Sequence, residues 1–470
     1  MTPYRTLVFA RLVQDSPLNV GGNHPHHLVN SPLARDGQGR PVLRGSTLAG
    51  CFIATARALA GALPAAITTG GVAATHSQNT LTPSAWRFAH AHLVEPEQQT
   101  AFFQHVSINA RTHAAKDDHL FSLEALPTGS AWHFELEIVP TADADLAQLE
   151  ALAAAALTAW TQPGAARLGR GSRHGYGWCH LEDITILRLD ARHIRLWPDA
   201  FAPERSAAEW IAHFKNNHVP VLDLPALCAL HPKPPHAGRV EVHFEGNLCV
   251  GERQDAFGQG YGLDTLSIGG HARMQQQAQA FFPRVIAPQG IAFSEANFDP
   301  AFSITAMPGP DGALMPYVPG ASLRGVWRAQ LERHYRATGG DMALLNTLFG
   351  DTEHAGCLRV ADATLVDDNW KLIWQQHVAI DELTGGAYES AKFDRLSLAH
   401  ATFHWQACIE ADSEQAAENL AAPLSKLLNA LGDGHLPLGG GIWRGHGHIR
   451  WTLDSIETRP LGDASQGAKP

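Results

Sequence analysis

Charge is what this sequence has least of: Asp, Glu, Lys and Arg make up 17% of its 470 residues. The basic side is the poorer, 35 Lys and Arg against 46 Asp and Glu, and a net charge of -11 excludes a general polyanion binder that works through a basic excess. Cysteine is sparse and scattered, at Cys51, Cys179, Cys228, Cys249, Cys357 and Cys408, without a C-x-x-C pair. That spacing excludes a disulfide scaffold or a zinc ribbon and fits buried thiols in a reducing compartment. No apolar run approaches bilayer length, and Met1–Val13 lacks a charged-then-apolar leader pattern, so a cytoplasmic protein without a membrane partner is expected.

Against these absences, 45% of the residues are hydrophobic, enough for a folded chain, and the length calls for two or three domains. The 27 histidines are dispersed, which suits loops and surfaces better than one metal cluster. Self-similarity is the strongest signal. Gly39-Arg40-Pro41-Val42-Leu43-Arg44-Gly45-Ser46-Thr47-Leu48 leads into a helical run, and Met315-Pro316-Tyr317-Val318-Pro319-Gly320-Ala321-Ser322-Leu323-Arg324 does the same roughly 270 residues later. His105-Val106-Ser107-Ile108-Asn109 reappears as His377-Val378-Ala379-Ile380-Asp381, and Leu168-Gly169-Arg170-Gly171-Ser172-Arg173-His174-Gly175 as Leu438-Gly439-Gly440-Gly441-Ile442-Trp443-Arg444-Gly445 followed by His446. Three blocks in one order, at nearly one offset, indicate a tandem duplication.

Each half opens on an alternating strand, Thr6–Leu12 and Gly238–Glu245, with one face expected to be buried and the other solvated. Turn, helix, strand pair, second helix and glycine loop follow. This order predicts an α+β chain of two ferredoxin-like (RRM-like) domains, each a helix-backed antiparallel sheet with hairpins and loop insertions. The boundaries are 1–195 for the first domain, 196–237 for a proline-rich irregular connector, 238–460 for the second domain with an insertion at about 251–316, and 461–470 for a loose tail.

Ser46 and Ser322 stand where helix N-caps are expected, next to Thr47, Arg44 and Arg324, so that free N–H groups at both helix starts can receive a phosphate. The glycine loops, with Gly169, Gly171, Gly440 and Gly441, let the backbone approach a sugar-phosphate chain, and Arg170, Arg173, His174, Arg444 and His446 bring cations there. A cap and a turn are the ordinary uses of such residues. Their joint occurrence in both halves favours RNA.

These segments resemble the RAMP superfamily of CRISPR proteins, in particular the backbone subunits of type III effector complexes. The resemblance implies guide RNA (crRNA), target RNA and other CRISPR effector subunits as partners. It also implies a hairpin "thumb" in each half that kinks the duplex, placing Ile108, Lys116 and Ile380 on thumbs; by residue type alone Ile108 and Ile380 equally suit core-facing strands. Asp117, Asp118 and His119 read as a solvated tip. The family cuts target RNA with an acid shortly before the first helix, a step that a divalent metal such as Mg2+ can assist. Here Asn30, in Asn30-Ser31-Pro32, occupies the matching place, so the first half is expected not to cut. Asp299 is the nearest acid in the second half, with Asp255 and Asp264 as further candidates. Two other readings stay open: a non-catalytic RNA scaffold, and a guide-processing endoribonuclease using His24, His26 or His27 as base.

Overall fold

In the computed structural model the described residues are 3–22, 29–68, 83–96, 100–109, 115–141, 144–196, 206–230, 239–251, 269–270, 283–286, 303–304, 306–308, 314–351, 353–432, 435–442 and 446–460. Strand Pro3–Gln14 lies antiparallel between Ala131–Ile138 and Trp178–Asp190, with Trp86–Phe88 beyond Ala131–Ile138. Taken in chain order, these four strands stand in the sheet as fourth, first, third, second. Helices Gly45–Ala60 and Leu146–Trp160 follow the first and third strands, which is the β-α-β-β-α-β succession.

The second half repeats the plan. Val240–Val250 lies between Ala401–Ala411 and Ser455–Pro460, and Leu358–Val360 and Ala363–Leu365 pair with the far edge of Ala401–Ala411. Gly320–Thr338 and Glu414–Leu431 are its two backing helices. Each half has its own core, and the first helices place an aromatic at corresponding positions in it. Phe52 meets Trp86 and Trp160 at 5.4 and 5.0 Å, and Trp327 meets Trp405 and Trp451 at 5.3 and 5.9 Å. All of these rings are buried, and the three edge-on pairs, all but Trp327–Trp451, add to the gain from burial itself.

Two expectations are corrected here. Over Leu7–Phe9 the strand Pro3–Gln14 has no solvated face: Val8, Ala10 and Leu12 meet the helices, Leu7 and Phe9 are buried on the other side, and that side opens to solvent only at Arg11. The supposed irregular connector covers that second face. Helix Ala207–Asn216, started by a Ser206–Glu209 capping box, lays Trp210 and Phe214 on Leu7, Phe9, Leu187 and Leu189. Val221–Leu222 then adds an edge strand beside Trp178–Asp190. In the second half the alternation holds: Val240, Val242 and Phe244 enter the core, and Glu241, His243 and Glu245 face away.

The second correction concerns the caps. The helices start at Gly45 and Gly320, so the N-cap residues are Arg44 and Pro319, neither of which caps through its side chain. Ser46 and Ser322 lie inside the first turn. A long hairpin also rises from each half: Ala101–Ile108 with Ala115–Ala125, and Lys371–Ile380 with Ala387–Ala399. Both carry a register break in corresponding places, Val106/Ile108 and Val378/Ile380. Among the described residues no helix is long and apolar enough to cross a membrane.

Candidate nucleic-acid interface

The first glycine loop joins Ala166–Arg167 to Trp178–Asp190 and turns through positive φ at Gly169 (73°), Gly171 (78°) and Gly175 (93°). Its far side docks on the second half. A Cβ on Gly175 would stand 2.2 Å from Asp362 Oδ1, so glycine alone permits this approach. Next to it Tyr176 packs with Phe103, Leu123 and Tyr317 in an apolar cluster drawn from both halves. Arg167 closes the same junction by donating to Glu410 Oε1 at 2.9 Å.

Beneath the loop, Asp362 Oδ1 accepts from the Gly320 N–H at 2.7 Å. In the first half the equivalent N–H, that of Gly45, donates to His90 Nδ1 at 2.9 Å. The two acceptors belong to a fourth repeated block, Arg87-Phe88-Ala89-His90-Ala91-His92-Leu93 against Arg359-Val360-Ala361-Asp362-Ala363-Thr364-Leu365, at nearly the spacing of the other three. The leading N–H of each helix is therefore already taken. Burial pushes the Asp362 carboxyl up to about 8, with the Gly320 hydrogen bond opposing the rise. The two helix starts differ in surroundings: His90, Arg44 and Ser46 are exposed and Thr47 half-buried, whereas Asp362 is buried and Ser322 half-buried.

Around this junction cations gather. Arg324, 9% exposed, donates to Phe349 O at 2.5 Å and faces His174 Nε2 at 3.2 Å. Arg328 donates to Gly350 O at 3.0 Å. Burial lowers Arg324 to about 10, the charges of Arg328 and Arg173 add to the fall, and the Cys357 thiol opposes it. Burial also holds His174 down to about 4, helped by Arg324, His105 and Arg173, although the residue remains exposed at the surface. Among the described residues, the buried Nε atoms of Arg173 and Arg324 find no acceptor. Arginines held together, with the nearby Asp362 carboxyl kept protonated by burial up to about pH 8, form a site for an anion. Arg170, with its backbone fixed to Asn19 O at 2.9 Å, is exposed beside them.

A family model described as the RAMP superfamily matches residues 14–180 and 310–450, one stretch in each half and together more than half of the chain. The chain belongs to the RAMP superfamily. No curated protein sequence matches it. The RAMP matches leave out the segment that covers the first sheet and most of the insertion in the second half.

The second RAMP half places its expected residues differently. Gly440 is exposed and Gly441 has φ 76°, but His446 is buried, 6.5 Å from the His377 ring. In the first half the corresponding positions are Tyr176 and His105, joined by a 3.0 Å contact between Tyr176 Oη and His105 Nε2. In both halves, then, the glycine loop is tied to the base of its hairpin. Arg444 lies outside the described residues. At the second hairpin Ile380 is exposed, and Leu383 at the turn is 91% exposed, an apolar tip of the kind that can wedge between bases. At the first, Lys116 is exposed and the side chain of Ile108 lies outside the described residues.

Of the residues at the positions considered for cutting, the structure describes only the silent one, Asn30. Asn30 Oδ1 accepts from the Ser122 N–H at 2.8 Å and from Ser122 Oγ at 3.1 Å, so this residue ties its loop to the hairpin. Asp255, Asp264, Asp299, His24, His26 and His27 lie outside the described residues. Among the described residues Glu241, His243 and Cys408 come together with metal-ligating atoms. Arg167 already serves that group, bonding to the Cys408 thiol and lying 3.9 Å from Glu241, and a cation there would meet the guanidinium.

Proposed function

We propose that this RAMP chain is a tandem backbone subunit of a type III CRISPR ribonucleoprotein that binds guide RNA and target RNA in partnership with other effector subunits. The observation that carries the reading is the cationic group of Arg173, Arg324 and Arg328 with the neutral His174 ring against it, which exists only because the first half's glycine loop sits on the second half's first helix. On a chain of net charge -11, three arginines drawn from both halves meet at that seam. The exposed tip of the second hairpin lies on the element that the family uses to kink a duplex.

Cutting of target RNA is assigned to the second half, through Asp299, Asp255 or Asp264 with a divalent ion such as Mg2+. The first half is silent, because Asn30 has no proton-accepting carboxylate and its amide oxygen is bound to Ser122. The test is reconstitution with guide RNA and the neighbouring subunits, followed by target cleavage with wild type and with Asp299→Ala, Asp255→Ala and Asp264→Ala. One substitution is expected to lower cleavage by 100-fold or more, on the order of a lost catalytic acid or base, with RNA binding unchanged. The scaffold reading is favoured by Asn30 and wins if the wild-type assembly leaves target RNA whole.

A further inference from the structure

Phe121 is a large aromatic, 43% exposed, on a hairpin where Phe103 is buried in the seam and Phe102 is also exposed. Its inner face is already used. The His105 ring lies 5.0 Å away and within 17° of parallel, directly across the strand pair. His105 is fixed in turn by Tyr176 Oη at 3.0 Å, and Tyr176 by Phe103, edge-on at 5.7 Å, and by a side-chain hydrogen bond with Tyr317. Burial lowers the pKa of His105, which keeps the ring uncharged and suited to stacking. A flat ring with a rigid backing and one open face is poor in rotational freedom to lose, and such rings bind bases by stacking without regard to sequence. Tyr176, which holds His105, belongs to the same glycine loop as Arg170 and Arg173, so Phe121 stands on a hairpin tied directly to the segment that carries those cations.

We propose that Phe121, backed by His105, is a stacking surface for one unpaired base of the bound RNA, whose adjoining phosphate is held by Arg173 and Arg170. The proposal rests on the RNA-binding reading above and adds to it a base contact that is separate from the phosphate contacts. It does not depend on the hairpin tip, and Asn30–Ser122 at the neighbouring position holds the strand in place.

The test uses the full chain in low-salt buffer with two probes, a short oligo(A) single strand and an abasic ribose-phosphate chain of equal length. Phe121→Leu keeps apolar packing and removes the stack. It is expected to weaken oligo(A) binding about tenfold to a hundredfold, the usual cost of one lost base stack, and to leave the abasic chain unaffected. Phe121→Trp is expected to restore oligo(A) binding, which a residue needed only for folding would not require. Equal oligo(A) affinity for wild type and Phe121→Leu overturns the proposal, and so does an equal loss on both probes. If Phe121→Leu instead weakens only assembly with neighbouring subunits, the surface is a protein contact and the proposal is wrong. Should the wild type bind neither probe, the RNA-binding reading itself fails and takes this one with it; abasic binding without a Phe121 effect removes this one alone.

Discussion

Replacing Arg173 and Arg328 together by glutamine is expected to weaken single-stranded RNA binding on the order of 100-fold near 0.1 M salt, from two charge-assisted contacts in a partly dry seam. The salt dependence should change with it: each phosphate contact contributes a slope of about 0.7 in log affinity against log salt, so the pair should lower that slope by about 1.4. Arg324 is the poorer choice for this experiment, because its guanidinium is buried and bound to Phe349 O. The pH dependence gives an independent reading. His174 in the free protein is held down to about 4, so it is neutral from there upward. A phosphate alongside it favours the charged ring and raises its pKa, so binding takes up a proton and should tighten as pH falls from 8 to 6. His174→Gln should remove that dependence. In the free protein the sign is opposite: the unfolded chain protonates this histidine near 6.5, and the fold loses stability as pH falls from there to about 4.

Asp362→Asn is expected to stabilise the protein at pH 8. The wild-type carboxyl is buried at the seam, accepts one hydrogen bond from Gly320, and has a second oxygen without a partner among the described residues. Its folded pKa of about 8 lies above the ordinary 3.8, so the folded protein keeps a proton that the unfolded chain releases. Stability is therefore undiminished below about pH 4, falls as pH rises from 4 to 8, and is flat above that. At pH 7 the cost has an upper bound of about 4 kcal/mol. Asparagine keeps the acceptor for Gly320 and removes the ionisation, but leaves an amide donor to satisfy, so a net gain of about 1–3 kcal/mol is expected. Thermal melts of both proteins should separate at pH 8 and converge by pH 4. Equal pH dependence for the two would mean that this carboxyl is not the source of the cost.

The duplication and the order of strands and helices were readable in the sequence because each repeated element is local. A glycine loop, a helix start and a strand of alternating residues each leave a mark within a dozen positions. The cover on the first sheet was readable too, in Ser206-Ala207-Ala208-Glu209 and in Trp210 with Phe214, but the surrounding prolines hid it. So was the pair His90 and Asp362, within a block that repeats at the same spacing as the others. The seam was not readable. Gly175 meets Asp362, and His174 meets Arg324, across more than a hundred residues, and no local pattern announces a contact between two domains. That contact also revised the site. The helix starts are spent on His90 and Asp362, while Arg324 serves the group from within the fold and Arg328 joins it.

The most direct test of an RNA seam between the two halves is photocrosslinking. A guide RNA carrying 4-thiouridine is bound by the full chain, irradiated, digested and mapped by mass spectrometry. Crosslinks are expected in the loop 169–177 and in the helix Gly320–Thr338 of the same molecule, with loss of both in the Arg173→Gln, Arg328→Gln protein. Crosslinks confined to other surfaces, with these two segments unlabelled, would contradict the account.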